Sequence, residues 1–139
     1  MGDQTSRLKI LKAIIAFTIV STGLHFTHNF VEVDNYPIDL ASGAVVQVAI
    51  LVFWPLFTAI GLLGYRLYSR QRYPLAHACL LGYAFFALTS LGHFLDGTPD
   101  IAPFWFLTIF TDALGGLAVL TFTVWSMRLT DRSAQPASA

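Results

Sequence analysis

The residues best suited to chemistry in this sequence are three histidines, an asparagine and an aspartate set in apolar surroundings. His25 and His28 lie in the run Thr22-Gly23-Leu24-His25-Phe26-Thr27-His28-Asn29. A spacing of three places both imidazoles on one helix face, and Asn29 and Glu32 extend that face. His93 and Asp112 come from distant apolar stretches, as does Gln47. Imidazole and carboxylate can exchange protons near neutral pH. His25, His28 and Asp112 are therefore the candidates for acid–base work. Asn29, Gln47 and His93 are the candidates for holding a ligand.

The elements that must position these groups are membrane spans. Of 139 residues, 55% are apolar and 12% are charged, against roughly 45–50% and 25% in soluble chains. The mean hydropathy is +0.64. Four stretches approach the ~20 apolar residues a spanning helix needs: about 8–31, 41–68, 75–95 and 103–129. The connections carry turn residues, Asn35-Tyr36-Pro37, Tyr73-Pro74 and Asp96-Gly97-Thr98-Pro99. Residues 133–139 are small and polar, and are expected to be a disordered tail. The fold expected is a single all-α domain, a four-helix transmembrane bundle. Pro55 should kink its second helix, because it removes the hydrogen bond to the Leu51 carbonyl.

Orientation follows from the basic residues. Arg7, Lys9 and Lys12 precede span one, Arg66, Arg70 and Arg72 surround the second connection, and Arg128 and Arg132 follow span four. All eight fall on one side, and the first and third connections hold Glu32, Asp34, Asp39, Asp96 and Asp100. The positive-inside rule then places both termini in the cytoplasm of a multi-pass cell-membrane protein. A competing reading makes Arg7–Val20 a signal peptide cleaved near Ser21-Thr22-Gly23, but the apolar stretch runs on through Phe30. Zero net charge gives no pull toward nucleic acid. The single cysteine, Cys79, excludes a disulfide framework and reads as a small buried hydrophobe.

Small residues let helices approach in lipid, so Gly61 with Gly64, Ala78 with Gly82, and Gly115 with Gly116 are expected contact faces. Tyr36, Tyr65, Tyr68, Tyr73, Trp105 and Trp125 read as an interfacial aromatic belt. His77, at the other end of span three from His93, reads as interfacial too. Thr108 and Thr111 read as hydroxyls bonded back to their own helix.

If span one ends near Val31, His25 lies ~9 Å deep and His28 ~5 Å, while Asp112 lies ~13 Å into span four. Thr89 and Ser90 sit a turn below His93. Placing Asp112 mid-span costs at least ~2.5–3.5 kcal/mol, so it should face the bundle interior and pair with His25 or His28. Four uses of such a cluster are open. It could bind a small apolar or amphipathic, lipid-like molecule, with acid–base chemistry. It could ligate a metal through His25, His28, His93 and Asp112. It could hold haem between His28 and His93. Or it could be polar glue in an accessory subunit that packs on a membrane-protein partner or on further copies of itself. No residue pattern identifies a cofactor.

The layout also resembles two groups of small four-span proteins, the DoxX-like and the EXPERA-domain membrane proteins, the latter including sterol isomerases. The resemblance rests on His28 and on the acidic loop bearing Glu32, Asp34, Tyr36 and Pro37, about a quarter of the chain. It implies an isomerase as one form of acid–base activity. The paired intramembrane acids of EXPERA proteins have no counterpart, since Asp112 is the one deep carboxylate.

Overall fold

In the computed structural model, residues 2–36, 42–95 and 97–134 are described; side chains of residues 2 and 131–134 are not. The tail from residue 135 and Pro37, Asp39 and Asp96 fall outside them. The chain is helical: α1 (Gly2–Val31), α2 (Gly43–Ser69), α3 (Tyr73–Leu88) and α4 (Pro103–Ala134), with 3-10 turns at Val33–Asn35 and Thr89–Phe94. Four segments are long and apolar enough to cross a membrane: Asp3–Val31, Gly43–Ser69, Tyr73–Phe94 and Pro103–Thr130. Ser133 and Ala134, expected in the tail, belong to α4 instead.

Each helix packs on its chain neighbours, and α4 closes back onto α1. The ends of this closed bundle differ in charge. The basic end carries the start of α1, the α2–α3 turn and the end of α4. The acidic end carries the other two connections. At the basic end Arg7 pairs with Asp3 and lies 5.6 Å over the Trp125 ring, and the Tyr73 hydroxyl donates to Gln4 at 3.2 Å. The α2–α3 turn is a Schellman motif. Arg72 N–H reaches the Leu67 carbonyl at 3.0 Å and Gln71 N–H reaches Tyr68 at 3.0 Å. Gln71 holds the left-handed position at φ 59°.

The half of the bundle toward the basic end has an apolar centre of Leu11, Ile15, Ala76, Leu80, Ala84, Val119 and Phe122. Large apolar side chains elsewhere point outward, notably along α2, where Val45, Val48, Leu51, Val52, Leu56, Leu62 and Leu63 are exposed. That distribution suits a lipid solvent, where helix association comes from close packing. A Cβ at Gly61 would fall 2.6 Å from the Tyr83 ring, and one at Gly64 3.0 Å from Leu80. Gly115 meets Thr18 and Gly116 meets Ala84 and Ala87. The expected Ala78/Gly82 face is not used: Ala78 is exposed and Gly82 faces open space. α3 turns Ala76, Ala84 and Ala87 inward instead.

Two residues expected at the interface are packed inside the bundle end. His77 is buried, with Nε2 3.1 Å from Ser126 Oγ, and Ser126 donates to the Tyr68 hydroxyl at 3.0 Å. Tyr68 is fully buried. A helix running close to its neighbours needs polar partners for such groups, and α4 supplies one in Ser126.

Candidate functional site

The acidic half of the bundle interior is polar. On α1 the inward face runs Thr18, Thr22, His25 and Asn29, spacings of three and four that keep one stripe on the axis. α3 contributes His93 through an unusual end. Its α-helix stops at Leu88 and six residues continue as a 3-10 helix, longer than the usual three or four. Thr89 donates to the Phe86 carbonyl at 2.6 Å, and Ser90 to Ala87 at 2.9 Å and to Ile109 of α4 at 3.3 Å. These bonds hold the tightened turn against α4.

His25, Asn29 and His93 form one unit. Asn29 Nδ2 is 3.0 Å from His93 Nε2 and 3.4 Å from His25 Nε2, and the two imidazoles are 5.2 Å apart. An amide nitrogen has two protons and no lone pair to offer. Both Nε2 atoms must then be acceptors, which leaves both imidazoles neutral and protonated on Nδ1. The reversed amide would strand two N–H donors, whereas this one strands the amide oxygen and a single donor, His25 Nδ1–H, and buried orphan donors are the rarer case.

His28 stands beside this unit. Its Nδ1 is 2.7 Å from the Tyr36 hydroxyl, and its ring stacks on Trp105 at 4.4 Å. Tyr36 folds back from the first connection into the bundle mouth, 4.8 Å from the His93 ring, and is 4% exposed. Burial raises its phenol from 10.0 to about 12, so it stays a hydroxyl at neutral pH. The belt role expected of Tyr36 and Trp105 gives way to packing against His28.

Asp112 faces the interior, fully buried. The expected bond to His25 or His28 is not formed: neither carboxyl oxygen has a hydrogen-bond partner among the described residues. Asn29 occupies His25 and Tyr36 occupies His28 instead. Asp112 lies deeper, in electrostatic range of Tyr83, whose hydroxyl sits beside Thr22 without a bond of normal geometry. Trp54 of α2 donates to Thr22 at 3.1 Å. Tyr83 and Trp54 are neighbours of the candidate site that the sequence leaves unmarked, because aromatic residues in a span read as ordinary packing. Gln47 is drawn elsewhere, donating to the Phe30 carbonyl at 2.8 Å near the end of α1. Thr108 and Thr111 do bond back to their own helix, at 2.6 and 3.2 Å.

Among the described residues no three His, Cys, Asp or Glu side chains are placed to share a metal ion. The reason is local: Asn29 takes both Nε2 atoms and Asp112 stands apart. Haem between His28 and His93 fits poorly for a related reason. Tyr36 packs against both rings, where a macrocycle would have to lie.

A groove of about 260 Å³ runs between α2 and the end of α3, over Phe26 and Asn29 of α1. Val45, Ala49, Phe53 and Phe86 give it apolar walls, and Asn29, Ser90 and His93 border it. A second, of about 290 Å³, lies across Phe26 and Ile50, against Trp54 and Pro55. Phe26, Phe86 and Phe57 stack in sequence beside the first, at 5.2 and 4.3 Å.

Comparison with protein-family models, curated proteins and solved structures finds no match.

Proposed function

We propose that this is a multi-pass cell-membrane protein that binds a small apolar or amphipathic molecule in the groove between α2 and α3. The observation that carries this reading is the groove's composition: apolar walls bordered by one amide, one imidazole and the hydroxyls of Thr89 and Ser90. Few polar groups around an apolar cavity is the usual pattern of a small-molecule site. His93 and Asn29 orient the ligand, and His25 and His28 supply acid–base capacity behind them. Asp112 completes the set from deeper in the bundle. Both termini are cytoplasmic, supported by the collection of all eight basic residues at one end. The groove therefore lies in the outer leaflet, and a bend at Pro55 opens the flank of α2 toward it.

Native mass spectrometry of the protein released from membranes tests the reading. A lipid-sized adduct should accompany the wild type and disappear in Ala49→Trp, which fills the groove without touching a polar side chain. Absence of any adduct in the wild type overturns the proposal.

An accessory-subunit role is favoured by one specific feature. Only 6% of the apolar window of α2 is buried, against 33% in α1 and 44% in α3 and α4. Recovery of a stoichiometric membrane partner, or of a homo-oligomer, with no lipid adduct would support that role instead.

A further inference from the structure

Asp112 poses a problem the ligand groove does not solve. It is 0% exposed, sits within a span, and neither oxygen finds a partner among the described residues. An ionised carboxylate without a partner in such a medium is prohibitively costly. Among the described residues no Lys or Arg faces it. The group in range of it is Tyr83 from α3, which sits beside Thr22 on the inward face of α1; His25 lies one turn along that face. α2 reaches this region through Trp54, which is committed to Thr22.

Toward the acidic end, the unpartnered buried atoms of α1, α3 and α4 form a series. They are both Asp112 oxygens, the Tyr83 hydroxyl, His25 Nδ1 and Asn29 Oδ1, all buried. Thr22 and His25 are one turn apart on α1, so they join the Tyr83 end of the series to the imidazole end. From His25 hydrogen bonds continue outward through Asn29 to His93, and Tyr36 and His28 lie at the mouth. Buried polar atoms in folded proteins are nearly always satisfied, commonly by internal water. In the other direction the path is closed. Leu11, Ile15, Leu80, Ala84 and Val119 separate Asp112 from the Ser126–His77 pair.

We propose that Asp112 is a proton-binding site within the membrane, loaded from the acidic end of the bundle alone. Water molecules between Asp112, Tyr83 and the Nδ1 side of His25 carry the proton, and the His25–Asn29–His93 unit lines their way to the acidic end. Loading converts a carboxylate and one proton from the aqueous phase into a neutral carboxylic acid, and release reverses this. The protein is thereby a proton-coupled device at that end, whether or not the groove holds a ligand.

Infrared spectroscopy of the full chain in lipid nanodiscs tests this without an activity assay. At neutral pH the wild type should show the carbonyl band of a protonated carboxylic acid, and Asp112→Asn should lack it. In heavy water the band should shift promptly. The shift should slow at least about tenfold in His25→Phe, and equally in Tyr83→Phe should the first variant fold poorly. It should be unchanged in His77→Phe, which lies beyond the apolar plug. Absence of the band, a band deaf to heavy water, or exchange indifferent to both His25→Phe and Tyr83→Phe would each overturn the proposal. Slowing by His77→Phe would overturn the one-sided access.

Discussion

His28 and Tyr36 are joined by a 2.7 Å hydrogen bond between Nδ1 and the phenol, and this bond draws the first connection into the mouth of the bundle. It covers the imidazole cluster from the aqueous side, and Trp105 covers His28 from the other. Replacing Tyr36 by Phe should cost about 1 kcal/mol, the usual net worth of one such bond. It should also expose the cluster, read as faster modification of His28 by a water-soluble acylating reagent.

The same residue gives the pH dependence. Tyr36 is neutral in the fold until about pH 12, whereas it would ionise near 10 in the unfolded chain. A raised value means the folded form holds its proton longer. The contribution of Tyr36 to stability is therefore complete below pH 10 and lost as pH rises toward 12. An ultraviolet titration of wild type minus Tyr36→Phe should show one tyrosine ionising near the upper figure. A midpoint close to 10 would show that Tyr36 is not buried as described.

Gly61 and Tyr83 set the inner end of the site. The ring lies against bare helix backbone where a Cβ would be 2.6 Å away. Gly61→Ala should push Tyr83 from its place near Asp112 and cost roughly 1–3 kcal/mol, the range for overpacking. Gly82→Ala is the control, since nothing stands within 4 Å. It should be neutral or slightly stabilising through helix propensity. Steric-trap or denaturant unfolding in detergent compares the two.

Gln71 occupies a left-handed position that costs a side-chain-bearing residue about 1 kcal/mol. Gln71→Gly should stabilise the α2–α3 turn by roughly 0.5–1 kcal/mol, measured in the same unfolding assay. A destabilised variant would mean the turn is not the Schellman motif described.

The spans were legible in the sequence because length and hydropathy need only composition. The site was legible in part. The spacing of His25, His28 and Asn29 placed them together on α1, and the charge of Asp112 required it to face inward. Its partner was misjudged because pairing depends on depth across two helices, which spacing within either cannot supply. The inward fold of Tyr36 was hidden for a different reason. Tyr-Pro in an acidic loop marks a turn, but only the imidazoles of another segment make turning inward favourable. The small-residue face of α3 was assigned to Ala78 and Gly82, since any i,i+4 pair satisfies the pattern. The alanines turned inward, Ala76, Ala84 and Ala87, are spaced by eight and three and do not show that pattern.

The tautomers of His25 and His93 give the sharpest check on the centre of the site. If one amide serves both Nε2 atoms, both rings carry their proton on Nδ1, and neither can become imidazolium without breaking its bond to Asn29. Nitrogen NMR of histidine-labelled protein should show two neutral rings of the Nδ1–H form, assigned through His25→Gln and His93→Gln. Asn29→Leu should leave two acceptors unpaired, at about 1–3 kcal/mol each, and let the rings redistribute between tautomers. Asn29→Asp should do the opposite. Its carboxylate can only accept, so both rings must turn a proton toward it on Nε2, and the labelled spectrum should switch form. An unchanged spectrum in Asn29→Asp would mean that Asn29 does not govern the histidines.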